Sequence, residues 1–324
     1  MVSHGFVLPT RGVVLSADDS LEQAARVQSE VIGLARRAEA FGFDGVWAGD
    51  SVLAKPRLEP LSTLAAVAGA TESVTLGSAV YLPQLRNPVH VAHQTATVDQ
   101  VSGGRLALGV GVGVGSGVAT EHDQLDVPYD RRGVVLDEGL EIVEGLWDDE
   151  PVSADGGFFE LRDADIGIRP CGRSPPIYIA SATFDPRDGF PRQIRDRMAA
   201  RGDGWLPIGM STEMYEAGIE RAREIVDDAG RDASSFGAAY YQDVVIAETE
   251  ADAIEQARTF LERYYPSWGE LSDDDVRKRG AFGPPSVVAD HLERYADAGV
   301  EKFVTRFTAA DQREQLQRFA DIVV

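Results

Sequence analysis

The chain has 324 residues, 44% of them hydrophobic, with a formal charge of −22 from 53 Asp plus Glu against 31 Lys plus Arg. That length suits two ordinary domains or one large α/β barrel, and that apolar content suits a large core rather than disorder. The acidic balance argues against a nucleic-acid partner, no apolar run approaches the ~20 residues of a membrane span, and the single Cys171 leaves no disulfide framework or cysteine-rich zinc site.

Phe6–Pro9 reads as a short buried strand. Ser20-Leu-Glu-Gln23 has the form of a capping box and opens a helix that runs to Phe41, with apolar residues at spacings of three and four. Gly42 closes that helix, and Gly45–Gly49 is a second strand ending at Asp50. Leu61–Thr71 is a helix, Val74–Val80 a strand, Val89–Val101 a helix and Arg105–Gly111 a strand. A long loop is expected over 112–131, then an amphipathic helix over Gly133–Trp147. Residues 150–175 break the alternation, and Val152–Leu161 reads as a hairpin turning at Asp155–Gly157. Pro175–Ala180, Gly204–Pro207, Ala238–Ala247 and Lys302–Phe307 complete eight strands. The helices between and after them end at Ala200 or span Thr212–Ala229, Ala251–Tyr265, Ser286–Ala298 and Gln312–Val324, with Leu271–Pro285 a polar connector.

Eight strands alternating with helices, without a composition shift between halves, predict an α/β chain folded as one (β/α)8 barrel with an insertion near 150–175; a doubly wound sheet is the alternative. In a barrel, ligands sit at the C-terminal ends of the strands, so Asp50 is a candidate site residue, against the plainer reading of a turn aspartate. The glycines of Gly109–Gly117 suggest a dinucleotide fingerprint, but no helix opens directly after them and they follow the fourth strand rather than the first. They allow a backbone to approach a flat ligand closely. His90 and His93 lack the carboxylates of a metal site and are read as helix-packing residues, so no metal is expected. His122, in the long loop beside Glu121, is an acid/base candidate by position, against the plainer reading of a solvated histidine. Cys171 is read as a buried or incidental thiol.

Gly42–Ser51, Leu85–Pro88 and Ala96–Gly113, with weaker support from Tyr129–Gly133, Pro175–Ile179, Gly202–Trp205, Ala229–Asp232 and Gly283–Pro285, together resemble the bacterial luciferase-like superfamily of flavin- and deazaflavin-dependent oxidoreductases. The resemblance covers nearly the whole chain and implies a barrel with a flavin or deazaflavin ring over its strand ends. It implies that Asp50 lies near the ring, that Ala79-Val80 backs it through a bulge that is often a non-proline cis peptide, and that Gly111 and Gly113 flank it. The phosphate is expected on Ala180, Ser181, Ala182 and Thr183, where the family often has a glycine pair. Deazaflavin members commonly carry histidine after the aspartate, where this chain has Ser51, and some sugar dehydrogenases carry a glutamate in the glycine loop, where Val112–Ser116 has none.

The resulting expectation is an oxidoreductase moving a hydride between coenzyme F420 and an organic substrate, with Asp50, His122 and Glu121 as catalytic candidates. An FMN-dependent luciferase-like monooxygenase and a non-catalytic flavin- or deazaflavin-binding protein are the alternatives. Only Lys55, Lys278 and Lys302 are lysines, and such an acidic, lysine-poor surface resembles proteins of salt-accumulating halophiles, which suggests a haloarchaeal source and favours F420. Residues 1–20 lack a basic start followed by an apolar stretch, so a cytoplasmic protein without a signal peptide or membrane partner is expected, as a homodimer or higher homo-oligomer.

Overall fold

The computed structural model describes residues 2–12, 29–115 and 117–324. The predicted capping box at Ser20–Gln23 lies outside them; the described part of that first helix is α1 (Val31–Ala40), with Leu34, Ala35 and Ala38 turned to the core. All eight predicted strands are present. They are β1 (Ser3–Val7), β2 (Gly45–Ala48), β3 (Thr75–Tyr81), β4 (Leu106–Val110), β7 (Ile177–Ile179), β8 (Gly204–Trp205), β9 (Gly237–Ile246) and β11 (Lys302–Phe307). Each pairs in parallel with the next, and β11 pairs back onto β1, so the sheet closes into a (β/α)8 barrel. Helices α2 (Pro60–Ala68), α3 (Pro88–Ser102), α5 (Arg132–Trp147), α6 (Arg192–Arg201), α7 (Thr212–Asp228), α8 (Glu250–Tyr264), α10 (Pro285–Asp297) and α11 (Gln312–Val323) wrap it.

Two aromatic rings fill the barrel interior. Trp47 and Tyr178 meet edge to face, with ring centroids 6.2 Å apart. Their bulk explains glycines on the neighbouring strands. A Cβ at Gly77 would fall 2.1 Å from the Trp47 ring, and one at Gly5 would fall 2.3 Å from its indole nitrogen. Val7, Ala107, Leu206, Ala239 and Val304 complete this interior cluster, while the larger core lies between strands and helices. With the middle packed by these described residues, a ligand of the barrel is directed to the strand ends.

The insertion is the predicted hairpin, β5 (Val152–Asp155) against β6 (Glu160–Ala164), antiparallel. The Glu138 carboxylate on α5 accepts the backbone N–H groups of Gly157, Phe158 and Phe159 and so docks its turn. Two expectations are corrected. The loop predicted over 112–131 contains helix α4 (Val118–Gln124), a seven-residue element too short to show a periodic apolar stripe. The connector predicted over 271–285 contains α9 (Asp273–Arg277), opened by a capping box from Ser272, and strand β10 (Gly280–Gly283). β10 pairs with Asp243–Ile246 at the far end of β9 and widens the barrel mouth on that side. Of the two readings of Cys171, buried or incidental, its exposure leaves the incidental one.

Candidate active site

The C-terminal mouth of the barrel holds a cleft of about 490 Å³. Into it the fold brings Asp50, Ala79, Val80, Gly111, Gly113, Glu121 and the run Ala180–Thr183, from the ends of four strands and from α4. His122 does not reach it.

The cleft is backed by β3. The peptide between Ala79 and Val80 is cis, and the register of β3 on β4 shifts between Ser78 and Tyr81, the bulge expected at this position. Asp50 stitches that bulge to the end of β2. Its backbone N–H donates to Val80 O at 3.1 Å. Its carboxylate accepts Leu82 N at 3.0 Å and both terminal nitrogens of Arg86, at 2.7 and 3.0 Å. Arg86 in turn lies over the Tyr81 ring at 4.6 Å. Burial pushes the Asp50 carboxyl above its usual range, and the Arg86 pair with the Leu82 N–H opposes that shift. Both carboxylate oxygens are thus engaged, Oδ1 by Arg86 and Oδ2 by Arg86 and the Leu82 N–H, so the carboxylate positions the bulge.

Glu121 is also an anchor. Its Oε1 accepts from Ser51 Oγ at 2.9 Å and from the N–H groups of Val52, Leu53 and Ala54 at 2.6, 2.6 and 3.2 Å. Burial raises its pKa, but the ring of donors outweighs burial and holds it below the ordinary value. Ser51, standing where a histidine was the alternative, closes the same turn by accepting Lys55 N at 2.8 Å. His122 corrects the expectation of an acid/base above the barrel. It is fully buried on the packing side of α4, its Nδ1 2.7 Å from Val118 O and its Nε2 3.4 Å from the Gln84 side-chain nitrogen. A short amphipathic helix, unseen in the sequence, turned it inward.

The cleft beside the cis peptide fits a flat ring. A Cβ at Gly111 would come within 3.0 Å of Val80 and 3.7 Å of Ala180, so glycine lets the end of β4 lie directly against the cis peptide and Ala180. Gly113 adopts φ of 74° as the chain turns away. At the end of β7, Ser181 and Thr183 hydroxyls bond each other at 2.7 Å, and Ala182 keeps the segment small. Arg132 faces the same part of the cleft, stacked on Tyr129 at 4.0 Å, with a buried Nε that has no hydrogen-bond partner among the described residues. That donor set suits a phosphate.

A basic and aromatic part of the lining was missed by sequence reasoning. It carries Lys55, Arg57, Tyr264, Tyr265 and Arg306. Asp243, fully buried on β9, accepts Arg306 Nε and Nη2 at 2.7 and 2.9 Å and Arg279 Nε at 2.6 Å. Burial alone would raise its pKa, yet the two guanidiniums keep it below the ordinary value. Arg57 Nη2 donates to Tyr264 Oη at 2.8 Å. Burial pushes that phenol up, while Arg57, Arg306, Arg11 and Lys55 pull it down to about 8. The one usable signal was Arg306 itself, a charge inside an otherwise core-like strand; the tyrosines end a helix and have none.

Comparison with known proteins agrees with this architecture. The model of the luciferase-like monooxygenase family matches residues 10–302. An F420-dependent glucose-6-phosphate dehydrogenase of Amycolatopsis mediterranei is 28% identical, over 91% of this chain and 93% of that protein. An F420-dependent secondary alcohol dehydrogenase, solved with an F420–acetone adduct, superposes with a TM-score of 0.80 at 20% identity, covering 99% of this chain and 98% of that one. The monooxygenase RslO1 of Streptomyces bottropensis gives 0.81 at 21% identity, with the same coverage.

Proposed function

The chain belongs to the luciferase-like monooxygenase family, and on that premise we propose that it is an F420-dependent oxidoreductase that transfers a hydride between the deazaflavin and a small organic substrate. The observation that carries the reading is the cleft at the strand ends, lined on one side by the cis Ala79–Val80 peptide with Gly111 packed beside it and also by Ser181, Thr183 and Arg132. The deazaflavin, when bound, supplies a two-electron hydride carrier that the twenty side chains lack. Ala79 and Val80 would back its ring, Gly111, Gly113 and Ala180 would flank it, and Ser181, Ala182, Thr183 and Arg132 would take its phosphate.

The chain's own contribution is position and exclusion of water. Asp50 and Arg86 hold the bulge, and Glu121 holds the turn of residues 51–55, so the walls of the cleft are set before anything enters. Val80, Leu82, Val112, Leu206 and Ile208 make much of the lining apolar, which strengthens each remaining polar contact. Fluorescence titration with oxidised F420 and with FMN tests the reading. F420 is expected to bind at micromolar concentration or below and to be preferred. Preference for FMN together with oxygen-dependent turnover would replace it with the monooxygenase reading, and binding of neither would overturn it.

A further inference from the structure

Removing a hydride from an alcohol carbon leaves a proton on the hydroxyl, and a positioned acceptor speeds the step by roughly 10²–10⁴-fold. The three groups expected from the sequence do not serve. Asp50 is bound to Arg86 and Leu82 N, and His122 is buried outside the cleft. Glu121 is tied by Oε1 to the turn of residues 51–54, whose donors hold its pKa below the ordinary value and make it a weak base, although its buried Oε2 has no partner among the described residues. Asp243 is enclosed by two guanidiniums. The basic part of the cleft lining offers a different group, Tyr264. The Tyr264 ring lies among cations, with the guanidinium carbons of Arg306 4.5 Å, Arg11 4.8 Å and Arg57 5.6 Å from its centroid. Its oxygen receives the Arg57 hydrogen bond, so a donor is already aimed at the atom that would carry negative charge.

We propose that Tyr264, held by Arg57, is the catalytic proton acceptor of this site, a role that rests on the hydride-transfer reading above. In the oxidation direction the hydroxyl proton of the substrate passes to the Tyr264 phenolate oxygen. The electron pair of the broken O–H bond closes the C=O bond. The hydrogen on that carbon would leave with its electron pair as hydride to a bound deazaflavin, which would take up the two electrons the substrate loses, while Tyr264 keeps the proton. In the reverse direction Tyr264 donates. A void of about 30 Å³ behind the ring, lined by Arg11, Arg57 and Arg306 among others, has room for a water to carry the proton onward.

The groups facing the phenol favour its ionised form. Arg57 comes from the loop after β2, Arg11 from the loop after β1, Lys55 from the turn held by Glu121, and Arg306 from β11. Tyr241 and Asp243 on β9 and Tyr265 beside it lie in the same cluster, where the Asp243 charge is already matched by Arg306 and Arg279. The four cations outweigh the burial that would otherwise raise the phenol, and bring it to about 8.

Phenolate absorbance in the near ultraviolet, followed against pH on the protein without cofactor, tests this directly. Of the nine tyrosines, one is expected to ionise near pH 8, well below the ordinary tyrosine value of about 10. Tyr264→Phe should remove that step, and Arg57→Gln should move it to higher pH. A step that survives in Tyr264→Phe, or the lack of any such step in the wild type, overturns the proposal. With F420 and a panel of secondary alcohols and sugar phosphates, Tyr264→Phe should still bind F420, lower kcat by roughly 10²–10⁴-fold and lose the limb of the kcat–pH profile that rises toward pH 8. Retention of kcat and of that limb would sink this inference alone. Failure of the wild type to bind F420 would instead sink the hydride-transfer reading.

Discussion

The two walls of the cleft are built in opposite ways. The wall from β2, β3 and β4 is made by backbone: a cis peptide, a bulge, glycines, and two buried carboxylates whose task is to accept main-chain N–H groups. The wall from β9, α8 and β11, joined by Lys55 and Arg57 from the loop after β2, is made by side chains: two tyrosines and a set of cations, with Arg306 anchored on the buried carboxylate of Asp243, which Arg279 also binds. A backbone wall determines shape, and a charged wall determines which proton and which charge are stable there. On a chain of net charge −22 the second wall is a local inversion of sign, one that a low-dielectric cleft amplifies.

The contrast is most exposed at its two central carboxylates. Removing Asp243 leaves Arg306 and Arg279 without their shared partner, so Asp243→Ala should cost about 3–5 kcal/mol of unfolding free energy in denaturant titration, the range for breaking a buried ion pair. Asp50→Ala removes the acceptor of the Leu82 N–H but leaves Arg86 its contact with Glu59, so it should cost less; it should be the more damaging of the two to F420 binding because it frees the Leu82 and Arg86 side of the bulge. An equal loss of cofactor affinity in both variants would dissolve the distinction between a shaping wall and a charging wall.

Glu121→Gln comes next. It removes the charge that four donors address and should cost roughly 1.5–3 kcal/mol, read from denaturation and from faster amide exchange at Val52–Ala54. Its pH signature has a definite sign. The folded carboxyl titrates below its unfolded value, so its stabilisation is complete above the ordinary glutamate pKa and is lost as pH falls through the folded one. The variant should therefore flatten the acid limb of the stability curve, and an unchanged limb would show that Glu121 is not the anchor. Gly77→Ala tests the plug beneath both walls: overpacking against Trp47 should cost about 1–3 kcal/mol, measured as a lower Tm. The smallest effect belongs to the surface. Raising salt from low to molar concentration should raise Tm by screening carboxylate repulsion. A flat response would leave the acidic composition without a stabilising role.

Much of the backbone wall was readable before any coordinates. Asp50 and Gly111 lie in contiguous motifs that record local backbone requirements, whereas the bulge at Ala79-Val80, outside those motifs, is expected only from the family resemblance. The failures share a cause. His122 was placed above the barrel because a seven-residue helix carries too few apolar repeats to be seen, and β10 went unnoticed because four residues, Gly280–Gly283, become a strand only by lying against β9. Lys55, Arg57, Arg132 and Tyr264 were passed over because each sits in an unremarkable local pattern.

The sequence by itself determined the eight-strand alternation, the family resemblance and the strand ends at which a ligand sits, since period, turn residues and small residues are properties of neighbours along the chain. Only the tertiary structure decided which charges meet. Arg57, Tyr264 and Arg306 are brought from three separate segments by closure of the barrel, with the phenol oxygen bonded to Arg57 and the ring beside Arg306. A proton's affinity for one oxygen depends on distances of a few ångströms that no spacing along the chain encodes.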